Sequence, residues 1–400
     1  MQELRQDLLG RQANKPTRRH KQTDETGAIL KSLVNKIPLT RICEVHDVSH
    51  RQIYAKIDFL YQQVVALSTA REARLHECLA RRTAWLATDI QVILVNWPVK
   101  NRRGTIPLLH MATVHKFSQF VVAATVDLDE GTTPEALEEV MERCGDFALP
   151  RSMRRHARLW AHSEYQDSLL RSQSGLLSKN DLAIAGKLRL PGRGCRVRGD
   201  AFKFAHMMMV KKLVGERFKR LHYCLDDEAG LAATVCALNV EMVRSGRVNV
   251  AEISFAKGLT NDVRLQFAAE GRQALNTVLT AGAAEIAAIQ QEFPHLSDLQ
   301  AASLTVLRHQ FEDLPAKARG ERLAREGMPW PFHGKAEPMK TVRMKTDLDD
   351  MGWDGLAKFF AGASIHPVDA YFNFARRRVA GFERGMPTTS SDRAVSQPVV

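Results

Sequence analysis

No apolar run in this chain approaches the roughly 20 residues of a membrane-spanning helix, so no spanning helix is expected. The N-terminal MQELRQDLLGRQ lacks the apolar core of a signal peptide, and a cytoplasmic chain is expected. The six cysteines (Cys43, Cys78, Cys144, Cys195, Cys224, Cys236) are dispersed, with no CxxC pair and no His/Cys cluster at zinc spacing. They read as small buried hydrophobes in a reducing compartment, and neither structural disulfides nor zinc is expected. No internal repeat is visible. Acids are in deficit: 45 Asp and Glu stand against 57 Lys and Arg, for a net charge of +12. That excess favours a polyanionic partner, although charge alone leaves DNA, RNA and an acidic membrane surface open.

The 400 residues, 44% hydrophobic and 26% charged, suit a soluble chain of two or three domains with sizeable cores. Residues 1–24 are polar and basic, with Arg11, Lys15, Arg18, Arg19 and Lys21 close together. They read either as an arm following DNA or as a disordered terminus. The most informative stretch is LTRICEVHDVSHRQIYAKI, residues 39–57, preceded by a helix from about Glu25 to Ile37. Leu39, Ile42 and Cys43 face inward on one predicted helix, Val48 bridges a turn, and Ile53 and Ile57 recur on a second helix. Asp47 takes the left-handed turn position where glycine is usual, and Ser49 N-caps the second helix. This is the spacing of a helix-turn-helix, assigned with its linking helix to residues 25–79. Ser49, His50, Arg51, Gln52 and Lys56 are then expected on the outer face, within reach of bases and phosphates in a major groove. An ordinary helical hairpin with a polar face is the alternative.

The texture then changes. TAWLATDIQVILVNW (83–97) is an apolar, β-branched strand holding Asp89, followed by PVKNRRGTIP as a loop. IPLLHMATV and QFVVAATVDL read as two more strands. TPEALEEVMERC reads as a helix with Thr133 as N-cap and Pro134 at its first position. Residues 146–201 hold the basic patch Arg151, Arg154, Arg155 and Arg158, and a loop with Arg193, Arg196 and Arg198. AFKFAHMMMVKKLVGERF is a helix with a Met/Phe face, KRLHYCLDDE a strand ending in Asp226, Asp227 and Glu228, AGLAATVCALNVEMVRSG a helix, and VNVAEISF a strand. From about Asp262 to Arg325 the pattern is helical, an expected inserted subdomain that with the loop GMPWPFHGKAEP occupies 262–345. GWDGLAKFFAGA and VDAYFNFARRRVAGFER are two closing helices (346–385), and residues 386–400 form a polar tail expected to be disordered.

This order, a strand with Asp89, two strands, helix, strand ending at Asp226, helix, strand, resembles the ribonuclease-H-like core of DDE transposases and retroviral-type integrases. The resemblance spans roughly residues 20–385. It implies a multidomain α and α/β chain: an N-terminal helix-turn-helix, then a mixed α/β core (80–261) interrupted by the helical insertion and completed by the C-terminal helices. It also implies a transposase that binds the terminal repeats of a mobile element as double-stranded DNA, then cleaves and joins strands with Mg²⁺ or Mn²⁺, in a two-ion arrangement. A homo-oligomer on DNA and association with the nucleoid go with that reading. In that family, phosphodiester chemistry draws on carboxylate-held cations. Asp89 matches the first-strand aspartate, against a plain strand-end aspartate. Asp226 matches the second; its neighbours Asp227 and Glu228 either replace it, with Asp227 as a metal ligand, or charge the N-terminus of the next helix. The third is Glu383 or, alternatively, Asp369; the Tyr-Arg-Glu spacing of some transposases is not reproduced. Arg376, Arg377 and Arg378 are expected to hold phosphates beside it, and Trp97, Trp160 and Trp353 either stack a flipped base or pack inside. The alternative function is a non-catalytic DNA-binding regulator or domesticated transposase. A structure-selective nuclease that cuts without joining is a third.

Overall fold

The computed structural model describes residues 22–79, 83–99, 102–126, 131–173, 194–215, 218–347 and 351–379. The chain divides into two compact units, one formed by residues 1–75 with 374–383 and the other by the remainder.

In the first unit, α1 (Glu25–Val34), α2 (Leu39–His46) and the start of α3 (His50–Leu79) surround a small core. Ile29, Ile42, Val48 and Ile53 are buried there, with Leu33, Leu39, Cys43 and Ile57 packed around them. The apolar spacing and this core agree residue for residue. Helix α1 stops at Val34 rather than Ile37 because Pro38 disfavours helical backbone in the residue before it, and Lys36 turns left-handed at φ 61°. Between α2 and α3, Asp47 is left-handed at φ 47°, ψ 48°. Ser49 and Gln52 then cap α3 reciprocally: Gln52 N donates to Ser49 Oγ at 3.3 Å, and Ser49 N to Gln52 Oε1 at 2.8 Å. Two of the orphan amides at the helix start are satisfied this way.

The second unit is mixed α/β around one seven-stranded sheet. Its strands are β1 (Thr83–Val99), β2 (Arg102–His115), β3 (Val121–Thr125), β4 (Arg220–Asp226), β5 (Val248–Ser254), β6 (Met328–Pro329) and β7 (Thr341–Met344). Their order is β3-β2-β1-β4-β5-β7-β6. β1, β2 and β3 are antiparallel neighbours, β4 lies parallel to both β1 and β5, and β7 and β6 close the edge antiparallel. The stretch PVKNRRGTIP is therefore largely strand, not loop: β1 and β2 pair out to Val99 and Arg102. Pairing of β1 with β4 ends at Thr88, so beyond that point one edge of β1 has no partner strand among the described residues, and Pro98, which has no amide hydrogen, is tolerated.

Side chains alternate across the sheet. One face carries Leu86, Met111, Tyr223, Leu225, Val248 and Val250. It packs on α4 (Gly199–Val214) and α5 (Leu231–Leu238), the latter followed by the short α6 (Val240–Arg244). The expected single helix over 229–246 is thus two, broken at Asn239, whose amide donates back to Val235 O at 2.8 Å. Of the methionine run only Met207 is buried; Met208 and Met209 are exposed. The other face carries Ala87, Ala112, Val114, Cys224, Ala251 and Ile253. Over it lie α7 (Asn261–Ala281), α8 (Ala283–Glu292), α9 (Asp298–Phe311), α10 (Ala316–Arg325), α11 (Trp353–Gly362) and α12 (His366–Arg378). Ile289, Leu304, Phe311, Phe359, Phe360 and Phe372 join the sheet residues in one core. The 262–325 segment is helical as expected, yet it shares its core with the sheet instead of forming a body of its own. A Cβ on Gly271 of α7 would lie 2.3 Å from the His333 backbone, so glycine alone permits that approach. Outside these layers, a smaller core around Leu137, Met141 and Leu159 holds a helix over Pro134–Arg143. Thr133 caps that helix by accepting from Ala136 N. Among the described residues no helix is long and apolar enough to cross a membrane.

Candidate functional site

The alternation that builds the helix-covered face also delivers its acids. Asp89 follows Ala87 by two positions on β1, and Asp226 follows Cys224 by two on β4, so both fall on the same face. Extending the Thr88–Leu225 register by one residue sets them side by side where the two strands part. Asp369 enters from above, in the first turn of α12, beside Val368 and Phe372 of the shared core.

The three are near enough to act on one another electrostatically. Asp89 is only 9% exposed. Burial, then the charges of Asp226 and Asp369, hold its carboxyl well above the usual range, against the Ile90 amide that donates to it at 2.6 Å. Asp369 is pushed up to about 6 by burial, Asp226 and Glu337. Like charges gathered in a poorly solvated place have this effect. Lys257, just beyond β5, donates to Asp226 Oδ2 at 2.9 Å. Burial lowers the Lys257 ammonium, but Asp226, Asp89 and Asp369 together leave it raised.

The frame around Asp369 is built from charge and from one histidine. Glu337, buried, accepts from Ile365 N at 2.7 Å, His366 N at 3.0 Å and Ser364 Oγ at 2.7 Å. It thereby places negative charge at the N-terminus of α12, where the helix dipole favours it. The matching cations sit at the end of α11: Lys116 donates to Gly362 O at 2.8 Å and Lys340 to Ala363 O at 2.7 Å. From β2, His110 meets the Tyr371 hydroxyl at 3.2 Å and Thr125 Oγ1 at 2.8 Å. Burial pushes His110 down to about 4, so it is neutral at physiological pH and steadies α12 without adding charge.

Among the described residues, Asp227 and Glu228 do not join. Asp227 is half-exposed and lies 3.9 Å from Arg343; the next position along a strand end points away from its neighbour's face. Glu228 accepts from Lys203 at 2.6 Å. Glu383 lies outside the described residues. Among the described residues, the set of three ligand-type side chains with donor atoms within 4.8 Å of one another is Cys144, Asp146 and His156. There Asp146 acts as a loop brace: burial raises it, but the Arg155 and His156 amides, the His156 ring and Cys144 hold it down to about 2. Asp89, Asp226 and Asp369 do not form such a set.

Several predicted basic contacts are structural. Arg198 is 3% exposed, stacks 4.0 Å over Trp160 and shares Glu164 with Arg154. Arg196 donates to Tyr165 Oη at 2.8 Å. Trp160 is buried and Trp353 lies under Arg319, which fits packing; the Trp97 side chain and Arg193 lie outside what is described. Arg151, Arg155 and Arg158 are exposed, as are Arg376 and Arg377 at the end of α12, and Arg378 donates to Asn35 Oδ1 at 2.8 Å.

On α3, Ser49, His50 and Arg51 are exposed as expected. Lys56 is not: it is 4% exposed and donates to Gln22 O at 2.7 Å and Thr26 Oγ1 at 2.9 Å. At i+3 from Ile53 it shares the inward face, and its ammonium is consumed in tying residues 22–26 to α3. Gln52 is likewise engaged, in the cap and with Gln22 Oε1. Tyr54, one turn from Arg51 and 57% exposed, is the outward residue that spacing alone passed over. Lys257 and Glu337 were also missed; a lysine after a strand and a glutamate in a proline-broken loop carry no local signature.

Comparison of the chain with family models, with curated proteins and with solved structures returns no match.

Proposed function

We propose that this chain is a DDE-type transposase whose second unit has a ribonuclease-H-like core and cuts and joins DNA strands with divalent cations. The observation that carries the reading is the meeting of Asp89, Asp226 and Asp369, which lie 280 residues apart in sequence from first to last, on one face of the sheet where β1 and β4 diverge. The strand order and directions of β1 to β5 support it, as does the helical stretch between Asp226 and Asp369. The third acid is Asp369 in this reading, in place of Glu383.

The donor set fits a hard cation. Asp89 and Asp369, whose carboxyls are raised by burial and by the Asp226 charge, would be relieved by Mg²⁺ or Mn²⁺, which prefer oxygen ligands and retain water and phosphate in their shells. Bound there, such ions supply an activated nucleophile and charge stabilisation for phosphodiester exchange. Asp89 and Asp226 would hold the ions from the sheet and Asp369 would close the group from α12, a helix that Glu337 and His110 fix. The first unit is read as a helix-turn-helix for the element ends. The left-handed Asp47, the reciprocal cap on α3 and the exposed Ser49, His50, Arg51 and Tyr54 support that reading. Oligomeric assembly on DNA belongs to the same proposal.

The test is nicking of supercoiled plasmid, and joining of a 3′-hydroxyl oligonucleotide into it, in Mg²⁺ or Mn²⁺. Wild type should do both, while Asp89→Asn, Asp226→Asn and Asp369→Asn should do neither and still bind duplex DNA. Nicking that survives all three substitutions would remove the assignment, and nicking without joining would make the chain a nuclease.

A further inference from the structure

Lys257 is the part of the acid group whose chemistry is not absorbed by cation binding. Its ammonium is fixed on Asp226 Oδ2 at 2.9 Å, yet the lysine side chain is 51% exposed while that of Asp226 is only 14% exposed. The lysine therefore stands at the solvent side of the group, with the acids behind it. Its charge is felt by Asp89 and Asp369 as well. It emerges from the end of β5, and its ammonium lies 5.7 Å from the ring of Phe255 two residues earlier.

An oxygen of Asp226 facing this way cannot serve two cations well. A divalent ion bonds carboxylate oxygen at about 2.0–2.1 Å, well inside the lysine's hydrogen-bond distance, and a +2 charge there repels a neighbouring ammonium. The lysine has somewhere to go. Its four-carbon stem is flexible, it is already half in water, and little apolar burial is lost if it turns. DNA reaching these acids must present its phosphate from the same open side, and an ammonium there is a strong phosphate donor.

We propose that Lys257 is a phosphate-binding residue of this site that exchanges partners, leaving Asp226 for the DNA phosphate when a divalent cation takes the Asp226 oxygen. The inference rests on the cation-binding reading of Asp89, Asp226 and Asp369. It differs from a fixed neutralising ion pair in one respect: the lysine's contribution to DNA binding must depend on the metal.

The experiment uses the full chain as wild type, Lys257→Gln, Lys257→Arg and Asp226→Asn. Mn²⁺ binding is measured by calorimetry without DNA, and binding of a short duplex by fluorescence anisotropy across a salt series in Mn²⁺ and in EDTA. Lys257→Gln should bind Mn²⁺ about three- to tenfold more tightly, because a competing like charge is gone. Its slope of log K against log salt should be shallower than wild type by about one in Mn²⁺ but equal to it in EDTA. Lys257→Arg should restore the Mn²⁺ slope. Unchanged Mn²⁺ affinity in Lys257→Gln overturns the exchange, and so does a slope change that is absent in Mn²⁺ or of equal size in both buffers. If Asp226→Asn binds Mn²⁺ as wild type does, the cation site itself is misplaced and this inference falls with it; if Asp226→Asn alone loses binding, only the lysine's role has failed.

Discussion

Asp369 concentrates the energetic conflict of this molecule in one side chain. Its carboxyl is raised from an ordinary 3.8 to about 6 by burial and by Asp226 and Glu337. A group that binds its proton more tightly folded than unfolded stabilises the fold below the unfolded value, and that contribution is lost as pH climbs through the folded one. In EDTA, wild-type stability should therefore decline between roughly pH 4 and pH 7, with Asp89 acting in the same direction. Asp369→Asn removes the charge. It should be more stable than wild type at pH 8 by about 1–3 kcal/mol and nearly equal to it at pH 4. Chemical denaturation at the two pH values measures both differences, and a mutant less stable at pH 8 contradicts the raised carboxyl. Saturating Mg²⁺ should erase the wild-type deficit if the ions are held where proposed.

At the same scale, Lys56 and Arg51 separate structure from recognition on one helix. Lys56→Ala leaves Gln22 O and Thr26 Oγ1 without the buried ammonium. It should cost about 1–3 kcal/mol of stability with no change in the DNA sequence preferred. Arg51→Ala should leave the melt unchanged and weaken DNA binding by about 1–3 kcal/mol if it reads a base, or reduce the salt slope by about one if it holds a phosphate. Thermal melts and anisotropy on the same two proteins distinguish these. Sequence placed both residues on an outer face because a polar residue near an apolar stripe looks solvent-facing. The hydrogen-bond acceptors that draw Lys56 inward lie more than 25 positions away and leave no local mark.

At the scale of elements, the reading depended on how long each pattern runs. The apolar repeats at Ile42, Val48, Ile53 and Ile57, and the apolar runs of β1, β4 and β5, are long enough for their periods to be read, and they placed Asp89 and Asp226 on strands. β6 and β7, two and four residues long, are too short for any period. The break at Asn239 and the extension of the β1–β2 pairing are set by tertiary context. Among the acids, Asp226 stood out at the end of a strand, whereas the choice between Glu383 and Asp369 depended on where α12 is anchored. That anchoring is long-range: Glu337 caps the helix from 29 residues before His366. Glu337→Ala should thus lower stability by about 1–3 kcal/mol, through loss of the cap and of the carboxylate 3.4 Å from the buried Lys340 ammonium. It should also lower the rate of DNA nicking, with DNA affinity intact; Glu337→Gln, which retains a carbonyl acceptor, should recover part of both. Equal nicking by Glu337→Ala and wild type would detach α12's cap from the site.

For the whole molecule, an excess of 12 positive charges accompanies three acids that act on one another electrostatically. Several arginines expected to form the basic surface are instead spent on internal pairs such as Arg198 and Arg154 with Glu164. Arg151, Arg155 and Arg158 of the second unit and Arg376 and Arg377 of the first are exposed. The most direct measurement is anomalous diffraction from crystals of the chain soaked in MnCl₂. The account predicts manganese peaks within bonding distance of the carboxylates of Asp89, Asp226 and Asp369, with Lys257 turned off Asp226. Peaks confined to other acids, such as Asp146, or an acid group that stays metal-free at saturating Mn²⁺ with Lys257 still on Asp226, would contradict it.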